Sequence, residues 1–228
     1  MKRLTIIILS LAPLFAAAQE PQIIGGYLLD GKDSFEELDA AILTESKSKE
    51  KRLDGKGMKM PGGCMVMTPR SVGKEIGSMV HVRHPFLVKT ISFTVDENRM
   101  EGCKASIRIY RVHDEDNLES IITMPIYQEI PKADRKTTFS IAPKESIFLE
   151  PGEYYVSFSL TSLGTDIMER WADSDTWSEK EQSTRHMDDR MFFPVYLKTS
   201  YTRNSTGQSL TKWGANIGIE VTGTERRQ

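Results

Sequence analysis

Between Tyr154 and Leu160 every second side chain is large and apolar: Tyr154, Val156, Phe158 and Leu160 alternate with Tyr155, Ser157 and Ser159. A repeat of two matches the pleat of a β-strand and rules out a helix, whose faces recur about every 3.6 residues. The pattern returns along the chain. Over residues 87–95, Leu87, Ile91, Phe93 and Val95 fall on one side and Thr90, Ser92 and Thr94 on the other. Ile107 and Ile109 flank an outward Arg108, Phe139 and Ile141 repeat the motif, and Ile217, Ile219 and Val221 close it. One apolar and one polar face per strand predicts antiparallel sheets, each covered on one side and wet on the other. Turn residues separate the runs at Pro151-Gly152 and over residues 142–144 and 114–117. With no strand–helix alternation, a doubly wound α/β fold is excluded. The expectation is an all-β, antiparallel sandwich or jelly roll over residues 63–224.

The N-terminus carries a different signal. Lys2 and Arg3 precede an apolar run over residues 4–15, and Ala16, Ala17 and Ala18 follow. A run well short of the roughly 20 residues that span a bilayer, with those flanks, predicts a secretory signal over residues 1–18 and Gln19 as the mature N-terminus. The expected product is exported (periplasmic, outer-membrane-associated or extracellular), with no membrane span once the signal is removed. The formal charge is −2, and losing Lys2 and Arg3 makes it two units more negative, so there is no basic surplus for nucleic acid. Cys64 and Cys103 are too few for a disulfide-dense scaffold or a four-cysteine zinc site. In an oxidising compartment they admit one disulfide or two free thiols, and the sequence leaves both open.

Residues 19–62 form an N-terminal segment. Ser34 and Glu37 make a capping box, with Phe35, Leu38 and Ile42 at helical spacing, which predicts a short helix over 34–45. Behind it Lys47, Lys49, Lys51, Arg52, Lys56 and Lys59 predict a mobile basic linker over 45–60. Residues 161–190 are long for a loop. They hold eight acidic residues, Trp171 and Trp177, and a helical turn is expected around 166–171.

Candidate chemistry is sparse. His81 and His84 lie three apart, on opposite faces of a strand, and do not suit a shared metal. His113, Asp114, Glu115 and Asp116 offer hard oxygen donors, as do Asp173 and Asp175, which admits a weak calcium reading and no other cofactor. No glycine-flanked serine nucleophile, HExxH pair or phosphate loop occurs. Trp171 and Trp177 with Tyr196 and Tyr201 could form an aromatic platform beside Asp173 and Asp175; equally, the tryptophans could staple the long loop to the sandwich. Met58, Met60, Met65, Met67 and Met79 read as core fillers. Asn204, Ser205 and Thr206 match a glycosylation acceptor.

Seven blocks in order carry a resemblance: GKEIGS (73–78), HPFLVKTISF (84–93), IRIYRV (107–112), PIY (125–127), KTTFSI (136–141), LEPGEYYV (149–156) and WGANIGI (213–219). Over residues 64–222 the chain resembles the C-terminal β-domain of exported bacterial proteins that begin with a carboxypeptidase-regulatory-like domain. The resemblance implies an extracytoplasmic β-sandwich of poorly defined role and transfers no catalytic residue. Residues 19–60 are too short and too charged for that family's preceding β-domain. The expectation is therefore a non-catalytic binding or assembly module of the cell envelope, for glycan, peptide or protein. The alternatives are a hydrolase of envelope or dietary polymers using a carboxylate pair, and a purely structural envelope component.

Overall fold

The computed structural model describes residues 50–225 except 54 and 115, with the side chain of residue 186 left aside, and the strand backbone at 23–24 and 27–28. Two compact units divide the chain, Met1–Lys47 and Ser48–Gln228. The described part of the first is an antiparallel ribbon of β1 (Ile23–Ile24) and β2 (Tyr27–Leu28). The signal segment 1–18 and the helix expected over 34–45 lie outside the described residues.

The second unit is all-β. Among the described residues its strands form three antiparallel sheets. The largest has seven strands in the order β10 (Ile126–Ile130), β8 (Cys103–Val112), β13 (Gly152–Ser162), β5 (Glu75–Val82), β15 (Ser200–Arg203) and β16 (Thr211–Trp213), with β9 (Leu118–Ser120) also on β8. A five-stranded sheet runs β11 (Thr137–Ile141), β6 (Phe86–Val95), β17 (Glu220–Glu225) and β3 (Glu50–Leu53), with β12 (Ile147–Leu149) also on β6. The third sheet places β14 (Met191–Leu197) between β4 (Met58–Met67) and β7 (Glu97–Asn98). No helix of the described residues is long and apolar enough to cross a membrane.

The three sheets share one core, and Phe158 sits where they meet. Its ring packs edge-on against Phe93 of the five-stranded sheet at 5.1 Å and against Phe193 of the three-stranded sheet at 5.0 Å. Phe139 stacks on Phe93 at 5.2 Å and extends the row. The inward alternation of β13 (Tyr154, Val156, Phe158, Leu160) thus becomes the central ridge of the sandwich.

Three expectations need correction. Leu87 does not share a face with Ile91, Phe93 and Val95. β17 skips Lys89 in its pairing with β6, and this bulge flips the parity, so Phe86 and Val88 enter the core instead. The stretch read as a mobile basic linker is sheet over Glu50–Leu53 and again from Met58. Lys51 pairs with Glu225, and Arg52 and Lys56 with Glu220 at 3.0 and 2.9 Å, so its cations dock β3 and its flank along β17. The sandwich therefore starts before residue 63. Finally, the outer face of β13 is not wet. Tyr155, Ser157 and Ser159 are all buried, and Tyr155 packs with Tyr110, Leu210 and, from β15, Tyr201. The Tyr155 ring crosses Gly77, where a Cβ would lie 2.7 Å from Tyr155 Cε2 and 2.2 Å from Val156 O, so only glycine lets this layer form.

Candidate functional site on the outer face of the large sheet

Strand register sets the site. Tyr127, Ser106, Ser159, Glu75 and Arg203 stand directly opposite one another on five successive strands. The next row carries Arg108, Ser157 and Gly77. Cross-strand partners share a face, so all these residues are on the outer side. At one end of the first row Tyr127 is 62% exposed, while Ser106, Ser159 and Ser157 are buried at 5%, 7% and 1% exposure. Half-buried Arg108 makes no ion pair among the described residues. At the margin Lys104 engages Glu129 at 3.6 Å.

A buried charge pair closes the other end. Arg203 Nε donates to Glu75 Oε2 at 2.9 Å, and Thr206 Oγ1 and Tyr110 Oη donate to Glu75 Oε1 at 2.8 and 3.3 Å. The Arg203 guanidinium also lies over the Tyr110 ring at 4.7 Å. Burial, then the charge of Glu75, pushes the Tyr110 phenol up, and burial pushes Tyr155 well up, so both stay protonated donors. Tyr155 Oη donates to Tyr201 O at 3.0 Å. Two buried polar atoms of this layer, Ser157 Oγ and Arg203 Nη2, have no hydrogen-bond partner among the described residues.

The aromatic loop is arranged otherwise than a platform needs. Trp171 ends the helix Thr165–Trp171, is 6% exposed and belongs to the core. Its Nε1 donates to the buried Asp189 at 2.8 Å, and Arg170 binds the same carboxylate at 2.7 Å. Trp177 tilts against Trp171 at 4.9 Å, with Arg185 over its ring at 5.7 Å. Arg70 ties the loop down through Ser174 O at 2.6 Å, and a second helix, Glu179–Asp188, follows. These two tryptophans staple the loop, and Asp173 and Asp175 lie exposed beside them. Tyr196 and Tyr201 do not join them. Tyr196 is on β14 under Lys56, at 5.6 Å, while Tyr201 packs into the outer layer of the large sheet. Glu75 and Asp189, the deeply buried carboxylates among the described residues, are each held by an arginine.

The remaining candidates are local. His81 pairs with Glu153 at 2.6 Å and His113 with Glu119 at 3.1 Å, while His84 is exposed. Asp114 Oδ1 accepts from Asp116 N at 3.0 Å in a turn, and Glu115 lies outside the described residues. No three His, Cys, Asp or Glu side chains of the described residues converge as metal ligands. Met67 is core, but Met58 and Met60 are exposed. Asn204 is exposed, whereas the hydroxyl of Thr206 is committed to Glu75. A solvent-open hollow of about 640 Å³ at residues 131–137 is the curl of one loop, fastened by Asn98 through the carbonyls of Ile130 and Pro131 at 3.2 and 3.1 Å.

The cysteines are not bridged. Cys64 is exposed on β4 opposite Pro194, and Cys103 is buried on β8 opposite Ile130, so different sheets hold the two free thiols. Burial pushes the Cys103 thiol up to about 11, despite a contact to Asn98. A maleimide titration of the native protein should therefore modify one thiol quickly, Cys64, and the second only in denaturant. Equal rates for both in the native state would contradict this placement.

Sequence reasoning missed this buried outer face. The signal was there in β13, whose outward Tyr155, Ser157 and Ser159 include no charge, as a covered face would require.

No family model, curated protein or solved structure matches this chain.

Proposed function

We propose that the chain is an exported β-sandwich of the cell envelope that acts as a non-catalytic binding or assembly module, with the outer face of the large sheet as its contact surface. One observation carries this reading: exposed Tyr127 and half-buried Arg108, which makes no ion pair among the described residues, stand on neighbouring strands of one face. Aromatic faces beside fixed polar groups are how a shallow site grips glycans and peptides. The buried carboxylates, each neutralised by an arginine, do not form the acid–base pair that a glycoside hydrolase needs. Export rests on the signal-like N-terminus, and the likeness to exported carboxypeptidase-regulatory-like-domain proteins supports the envelope setting. Exposed Met58, Met60, Val66 and Leu197 on β4 and β14 favour an assembly role within the same reading.

The test has two arms. Expression of the full chain in an exporting host should yield a soluble envelope fraction whose first residue is Gln19; an intact Met1 retained in the cytoplasm would remove export. The same protein and its Tyr127→Ala variant are then passed over a glycan array and used to capture envelope extract. Capture that the substitution abolishes, at unchanged melting temperature, supports the surface. Capture that it leaves intact moves the contact elsewhere.

A further inference from the structure

We infer that the helix Glu179–Asp188 is a cleavage segment: a protease of trypsin-like specificity hydrolyses the bond after Arg185, and the two pieces remain one folded sandwich. Water adds across that peptide bond, leaving a carboxylate on Arg185 and an amino group on residue 186.

Local stability is the first ground. The helix is ten residues long, short of the roughly 12–15 at which an isolated helix is even marginal in water. It depends on tertiary packing and has little. Of its described side chains only that of Gln182 is part-covered, Met187 is 51% exposed, and none belongs to the core. Its side chains bond locally, through the capping box of Ser178 and Glu181, from Gln182 Nε2 to Trp177 O at 3.1 Å and from Thr184 Oγ1 to Lys180 O at 3.0 Å. A more distant partner meets the last turn, where Arg99 Nη1 donates to Met187 O at 3.0 Å. A polar helix with no buried face opens at low cost while the body stays closed.

Both flanks are anchored, so the opening does not spread. On one side Trp171 sits in the core and Arg70 holds Ser174 O at 2.6 Å. On the other, buried Asp189 accepts from Trp171 and Arg170. Exposed Lys180 and Arg185 lie between the anchors. Glu179 and Glu181 flank Lys180 and oppose an acidic specificity pocket, whereas Arg185 has no acidic neighbour in sequence. Other cations are less available. Arg203 is buried. The turn holding Lys132, Arg135 and Lys136 is pinned where Ala133 and Asn98 exchange backbone bonds at 2.7 and 2.8 Å. Lys144 lies between β11 and β12, which both pair with β6.

Strand order keeps the pieces together. The C-terminal piece carries β14 between β4 and β7, β15 on β5, and β17 between β6 and β3. Its Phe193, Ile217, Ile219 and Val221 are buried in the shared core.

Trypsin at low ratio, acting on the native mature chain, tests this by mass spectrometry and size exclusion. Within residues 50–225 the first new ends should be Arg185 and position 186, and the pieces should elute together until denaturant parts them. Ser178→Ala removes the cap and should speed this cut about fivefold at unchanged melting temperature, while Ser178→Thr should keep the parent rate. No cut in residues 50–225, or a first cut elsewhere in them, overturns the assignment, as do pieces that separate without denaturant. A Ser178→Ala rate equal to the parent's, or one that rises as the melting temperature falls, overturns the local opening on which it depends.

Discussion

Truncating Phe158 to alanine should remove roughly 3–5 kcal/mol of stability, a large part of the about 5–15 kcal/mol that a folded domain holds in reserve. The ring is fully buried and touches Phe93 and Phe193 on two other sheets, so its loss opens a cavity where no single sheet can collapse to fill it. The two edge-on contacts go with it, at about 0.5–1.5 kcal/mol each beyond area burial. Denaturant titration and thermal melts should show a fall of roughly 10 °C, and Phe158→Leu should fall less. A change below about 1 kcal/mol would mean that the sheets do not depend on this junction for their packing.

The second large effect concerns Glu75. Replacing it with leucine leaves the guanidinium of Arg203 buried without a counter-charge and strips Tyr110 and Thr206 of their acceptor. Breaking a buried pair in this way costs about 3–5 kcal/mol. The double replacement Glu75→Leu with Arg203→Met removes both charges and should recover most of that loss, since an apolar pair of similar volume is often as stable. Denaturation midpoints of the two single variants and the double variant form the cycle. If the double variant is as unstable as Glu75→Leu alone, the penalty lies in lost packing and not in the stranded cation.

These two sites differ in how far the sequence exposed them. Phe158 was legible because alternation along β13 is strict, and its partner Phe93 and that ring's neighbour Phe139 sit in strands with the same period. Glu75 and Arg203 are 128 positions apart in the chain and meet only through the pairing of β15 with β5. No local pattern reports such a contact. β3 escaped for another reason: it is a polar edge strand whose hold on β17 is ionic, and a run of lysine and arginine resembles a solvated tether. The flip at Lys89 illustrates a third limit, because a bulge breaks the period without changing residue type. In the aromatic loop the residues were visible but their direction was not. A tryptophan beside a carboxylate suits an open platform or a staple equally well, and only the hydrogen bond from Trp171 to Asp189 decides.

β4 bears on how the molecule behaves in company. Within its sheet it pairs on one side only, with β14, and four residues, 60–63, stand against Val195 alone before the ladder resumes. Pro61 lacks an amide hydrogen, and Gly62 turns at φ 69°, a geometry ill suited to other residues. The outer margin is therefore broken into two short stretches. An unbroken ten-residue margin with exposed methionines would invite another chain to add itself strand by strand. The interruption leaves a second chain less to polymerise on.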